Sequence, residues 1–214
     1  MDYDEDDSFD EDKDVKPIIF PSPTAKTSES IDLSPSLRGN TQAETPVPQS
    51  TEINFHIRAG QGELTEQDII NEEDVDVCDK NGLTALHWAS AYGQYSTAQL
   101  LLKHGATVNK LGTEEESPLI LAASGGHHEV VRLLISNKAE VNHVDHLCNT
   151  SLMYAARGNH PHTCQELLSH GADFSLVNLN DDTAHIIAVD NNSTLAQTVI
   201  ENFIISRLEA TTNP

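Results

Sequence analysis

The chain has 214 residues, with 12 Lys and Arg against 34 Asp and Glu and a formal net charge of −22. That balance argues against direct binding to DNA or RNA, which needs clustered cations to displace counterions, and against docking on anionic lipid. It favours protein partners, basic ones in particular. No apolar run reaches the roughly 18 residues of a membrane span, and the acidic start is the opposite of a signal peptide's opening. Three dispersed cysteines, Cys78, Cys148 and Cys164, form no disulfide framework and suit a reducing compartment, so nucleus and cytoplasm are the expected locations.

Residues 1–52 cannot build a core. Nine of the first 14 residues are Asp or Glu, and residues 15–52 are rich in Ser, Thr and Pro, with too few large apolar side chains to offset chain entropy. A disordered acidic tail is expected, carrying proline-directed phosphorylation candidates at Ser34-Pro35 and Thr45-Pro46.

Further on, the chain repeats itself. Slid by 33 residues, Thr84-Ala85-Leu86 falls on Ser117-Pro118-Leu119 and then on Thr150-Ser151-Leu152. Ala89, Ala122 and Ala155 superpose, as do Leu101, Leu134 and Leu167. In the unit 79–111, Asn81-Gly82 makes a turn, because glycine takes positive φ freely, and the Thr84 hydroxyl is placed to cap a helix ALHWASAY that ends at Gly93. A second helix, TAQLLLKHG, carries Leu100, Leu101 and Leu102 and stops at Gly105. Small alanines on the first helix allow close approach between units, and the leucines of the second fill the space between them.

A turn and two helices on this period, opening with TALHWA, SPLILA and TSLMYA, is the ankyrin-repeat pattern. The expected fold is all-α: an ankyrin-repeat solenoid of about five units, with regular units at 79–111, 112–144 and 145–177. A degenerate first unit is expected at 53–78, a capping unit at 178–210 where His185 and Ile187 depart from the pattern, and a short tail at 211–214. In such a stack the turns and first helices line a concave groove.

The groove carries the functional expectation. Trp88, Leu121, Tyr154 and Ile187 occupy one first-helix position at one-unit spacing, and the polar edges of the Trp and Tyr rings want water or a partner. Leu83, Tyr92, Ser124, Asp145, Arg157 and Asn159 would form the walls. The 11 histidines invite a metal reading, densest at His160-Pro161-His162-Thr163-Cys164, but that spacing does not bring three ligands to one helical face. No metal and no cofactor are expected. No GxSxG, HExxH, P-loop or GxGxxG is present, so no enzyme is expected either. Glu114-Glu115-Glu116 reads as a solvated acidic edge favouring basic residues in a ligand.

QGEL (61–64), WASAYGQ (88–94), ESPLILA (116–122), LMYAARGNH (152–160) and ELLSHGAD (166–173) together resemble the family of RFX-associated ankyrin proteins and ankyrin repeat family A proteins. The likeness covers roughly residues 53–210. It implies a non-enzymatic transcriptional adaptor, acting on RNA polymerase II transcription, whose groove binds extended PxLPxI/L peptides of RFX transcription factors and class IIa histone deacetylases. Trp88 and Tyr154 carry over as groove residues, with Asp145 and Asn159 in support, whereas His146 and Glu115 depart from what is common in the family. The alternative that it implies is a cytoplasmic adaptor for the tail of an endocytic membrane receptor.

Overall fold

The computed structural model describes residues 55–212; the tail expected over 1–52 lies outside the described residues. Five successive helix pairs make up the described part: α1 (Phe55–Gln61) and α2 (Glu66–Asn71), α3 (Ala85–Ala91) and α4 (Tyr95–Lys103), α5 (Pro118–Ser124) and α6 (His128–Ser136), α7 (Ser151–Arg157) and α8 (Pro161–Ser169), α9 (Ala184–Asp190) and α10 (Thr194–Thr212). Among the described residues the only β pairing is two isolated bridges, Val144 with Thr150 and Val177 with Thr183. No described helix is long and apolar enough to cross a membrane.

Helices of seven to nine residues do not hold in water alone, so stacking must stabilise them. First helices stack on first helices, α1, α3, α5, α7 and α9 in turn, and α4, α6, α8 and α10 stack likewise. Ala89, Ala122, Ala155 and Ala188 are fully buried where first helices meet, and Leu101, Leu134, Leu167 and Ile200 are fully buried on the second helices. Burial of one such Leu or Ile side chain contributes about 1.5–3 kcal/mol.

The first helices α3, α5, α7 and α9 start on a hydroxyl: Thr84, Ser117, Thr150 and Thr183 accept from the backbone amide three residues on. His87 completes the cap of α3. Its Nδ1 accepts from the Thr84 amide at 3.1 Å, and its Nε2 donates across to the Glu116 carbonyl of the next unit at 3.2 Å. The turns that precede the first helices, here called fingers, hold a left-handed residue at Gly82 (φ 73°), Glu115 (φ 60°), Cys148 (φ 59°) and Asp181 (φ 62°). The left-handed turn read from Asn81-Gly82 is therefore a feature of the four fingers before α3, α5, α7 and α9, and three of them make it without glycine.

Side chains also tie each unit to the one before. Gln94 Nε2 donates to the Gly60 carbonyl, His127 Nε2 to that of Ala91, His160 Nε2 to that of Ser124, and Ser193 Oγ to that of Arg157, all at 3.0–3.1 Å. On the opposite side of the stack, Asn109 Oδ1 accepts from the Glu140 amide and Asn142 Oδ1 from that of Asp173.

The structure moves some expected boundaries. α4 begins at Tyr95, two residues before the TAQLLLKHG run, and α10 continues through Thr212 into residues expected as a tail. The departure at His185 has a physical reason. His185 stands where Leu86, Leu119 and Leu152 stand in earlier units, and its Nε2 lies 2.9 Å from Oε1 of Glu201, which stands where Leu168 is buried one unit earlier. A buried leucine contact is thus replaced by a polar pair on the face where no further described unit stacks.

Candidate functional site

The fingers and the edges of the first helices form one face. On it, the first residue of the finger and the residue nine positions later work as a pair. Asp79 Oδ1 accepts from the amides of Asn81 and Leu83 at 2.8 and 2.9 Å, which shapes the finger, while its Oδ2 accepts from Trp88 Nε1 at 3.0 Å. Two units on, Asp145 Oδ1 accepts from the amides of Leu147 and Asn149 at 2.9 and 2.8 Å, and its Oδ2 accepts from the Tyr154 hydroxyl at 2.6 Å. Asn178 Oδ1 closes the last finger in the same way, on the amides of Asn180 and Asp182.

These pairs correct one expectation. The ring edges find their polar partners inside their own unit, and Trp88 and Tyr154 expose only 8% and 7% of their surface. Burial, then the hydrogen bond to Asp145, raises the Tyr154 phenol pKa, so it stays a neutral donor. Leu121 and Ile187 are buried as well. The row that reaches solvent lies one helical turn on, at Ser124, Arg157 and Asp190, with Tyr92 one residue past the same register in its unit, all half-buried or exposed. Asp190 was not among the expected wall residues, although the 33-residue grid places it beside them.

The other expected wall residues divide by their partners. Tyr92 packs on Trp88, ring centroids 6.0 Å apart, and both rings press against the bare Cα of Gly60, where a Cβ would lie 2.8 Å from the Tyr92 ring. Leu83 and Asp145 are buried and shape the face from behind. Asn159, in the left-handed region at φ 54°, spends its side chain on the structure: its Oδ1 accepts from the Leu195 and Ala196 amides at the start of α10. A cavity of about 580 Å³ opens beside Asp79, lined by Phe55, His56, Glu72, Val77, Cys78 and Lys80.

The second finger solves the same problem with a different residue. Gly112 stands where Asp79 and Asp145 stand, and Leu121 has no donor to offer. The carboxylate comes instead from Glu116, which accepts from the Glu114 amide at 2.8 Å and fills the space where a Gly112 Cβ would lie, 2.5 Å from the Glu116 Cδ. Glu116 is therefore buried, not part of a solvated acidic edge, and burial raises its pKa. The carbonyls of Glu114, Glu115 and Glu116 accept from His146 Nδ1, His143 Nε2 and His87 Nε2 at 2.9, 2.7 and 3.2 Å. Among the described residues no group of three or more His, Cys, Asp or Glu side chains could hold a metal ion. In the HPHTC run, His160 bonds the Ser124 carbonyl, His162 lies against His128, and burial pushes the Cys164 thiol pKa up to about 12.

Family models for ankyrin repeats match residues 54–145, as three copies, and 148–182. The chain belongs to the ankyrin-repeat family. Its ankyrin units are protein-binding modules. The chain is 35% identical over 115 residues to Ankyrin repeat family A protein 2 of Homo sapiens, covering 51% of this chain and 36% of that protein. It is 35% identical over 111 residues to DNA-binding protein RFXANK of Homo sapiens, covering 50% of this chain and 42% of that one. Against Palmitoyltransferase akr1 of Schizosaccharomyces pombe it is 46% identical over 59 residues, only 9% of that protein. The match thus spans under half the length of each of these relatives, and with the palmitoyltransferase it is confined to repeats.

Proposed function

We propose that this ankyrin-repeat protein is a non-enzymatic adaptor, without cofactor, that binds extended PxLPxI/L-type segments along the face formed by its fingers and first helices. The partners in this reading are RFX-type transcription factors and class IIa histone deacetylases, and the outcome is regulation of RNA polymerase II transcription from a pool shared between nucleus and cytoplasm. One observation supports the binding mode above the others. Two large rings, Trp88 and Tyr154, are locked by carboxylates two units apart, and beside them runs an accessible row of Tyr92, Ser124 and Arg157. A rigid row of this kind suits a proline-containing strand that is itself already extended and loses little entropy on docking. The similarity to RFXANK and to Ankyrin repeat family A protein 2 supports the choice of partners.

Trp88 and Tyr154 are buried and hold the fingers together, so the test uses the accessible row. A fluorescent PxLPxL peptide is titrated against the whole chain and against Ser124→Arg, which puts a long side chain across the middle of the row without touching a buried position. Binding that weakens at least about tenfold in the variant, with unchanged helical circular dichroism, is the expected result. A wild-type chain that ignores the peptide, or a variant that binds equally well, overturns the reading.

A further inference from the structure

Arg157 is the last residue of α7, where a cation complements the helix dipole, but its head group has more to offer than charge. Its Cζ lies 5.8 Å from the centroid of the Tyr154 ring, a cation–π arrangement. The platform beneath it is fixed: the Tyr154 hydroxyl is held by Asp145, and the Arg157 carbonyl accepts from Ser193 Oγ at 3.1 Å. Arg58 and Arg132 spend their forks inside the molecule, while Arg207 lies over the Phe203 ring on α10, a second helix and not part of the candidate face. Arg58 closes both of its terminal nitrogens on Asp68, and Arg132 pairs with Glu166 through two hydrogen bonds. Arg157, half-buried on the candidate face, enters no ion pair among the described residues, in a chain with nearly three acidic side chains for each basic one.

We propose that Arg157 determines specificity on this face by receiving a carboxylate side chain, Asp or Glu, of the bound segment. The proposal rests on the reading that the face binds an extended peptide. A guanidinium drawn to a ring keeps its donors in the fixed fork that matches a planar carboxylate, and part of its ordering cost is met before the ligand arrives. The surroundings select a single negative charge over a phosphate dianion. The Asp145 carboxylate lies at the far end of the Tyr154 ring, and Asp190 stands exposed at the equivalent position of the next unit, so a doubly charged group meets more repulsion. With one carboxylate anchored over the third regular unit, the ligand strand has a defined register and direction along an otherwise acidic face.

The test is a walk. PxLPxL peptides carrying a fluorophore receive a single Glu at each non-core position in turn, with a matched Gln series, and are titrated against the whole chain, Arg157→Gln and Arg157→Lys. One Glu peptide is expected to bind about tenfold more tightly than its Gln counterpart, with the gain shrinking as salt is raised. That gain vanishes in Arg157→Gln and survives in part in Arg157→Lys, over and above any loss of binding that the variants impose equally across the Gln series. If the peptides bind but no position separates Glu from Gln, the role of Arg157 is overturned and the peptide-binding face stands. A loss in Arg157→Gln shared equally by every peptide makes Arg157 merely structural and overturns the proposal. A phosphoserine at the favoured position that outbinds Glu overturns the choice of carboxylate. If no peptide binds the wild-type chain, the underlying reading fails, and the proposal fails with it.

Discussion

The regular units at 79–111 and 145–177 and the one between them build the same finger by different means. In the outer two, one aspartate shapes the turn with one oxygen and holds a ring with the other. In the middle unit the carboxylate has moved four residues along, from the Gly112 position to Glu116, and the ring has become Leu121. What the repeat conserves from unit to unit is therefore a task, an acceptor for finger amides, and the residue that performs it is free to change. The ring is an addition made possible by the second oxygen of a short side chain that starts at the head of the finger.

The largest effect is expected where one side chain does both jobs. Asp145→Ala strands the amides of Leu147 and Asn149 and the buried Tyr154 hydroxyl, and should cost about 3–4 kcal/mol, read as a lower urea midpoint. A loss under about 1 kcal/mol would mean that the Asp145 hydrogen bonds do not hold this finger together.

Acid should separate the groups next. His87 is fully buried, accepts at one nitrogen and donates at the other; burial pushes its pKa down to about 4. An unfolded histidine titrates near 6.5, so the stability that neutral His87 contributes is present above that pH and is lost as pH falls toward 4, by about 3 kcal/mol in total. Burial lowers the His127 pKa as well and works in the same direction. Glu116 works in the opposite sense, because burial raises its pKa and protonation relieves the buried charge of the folded state. Urea midpoints measured from pH 7 down to pH 4.5 should fall in the wild type, and should fall more steeply in Glu116→Gln, which lacks that relief. Equal slopes would show that the middle finger does not hold a strained carboxylate.

The smallest effect is expected from rebuilding the middle finger in the style of its neighbours. Gly112 is not among the left-handed glycines, and what a Cβ there would meet is the Glu116 carboxylate. The paired change Gly112→Asp/Glu116→Thr removes that obstacle as it restores the aspartate, so stability should change by less than about 1 kcal/mol, while Gly112→Asp alone, with two carboxylates in one space, loses clearly more.

The stacked helix pairs were legible because burial imposes a period: alanines where helices touch, leucines between them and hydroxyls at helix starts recur every 33 residues whatever lies between. Trp88 and Tyr154 were legible as unusual residues at one register position. Their partners were less visible, although Asp79 and Asp145 precede them by the same nine residues. The middle unit hid its counterpart by shifting the carboxylate off that position, and Glu116 looked like one member of an exposed acidic run.

The sequence by itself determined the number, order and spacing of the regular helix pairs, because each unit's pattern of apolar and capping residues is local and complete. Only the tertiary structure decided which rings face solvent, which carboxylate is buried and which arginine of the candidate face keeps an open fork. Those outcomes depend on atoms brought together across a finger and between neighbouring units, where a hydrogen-bonded partner a few ångströms away decides whether a polar group is spent or available.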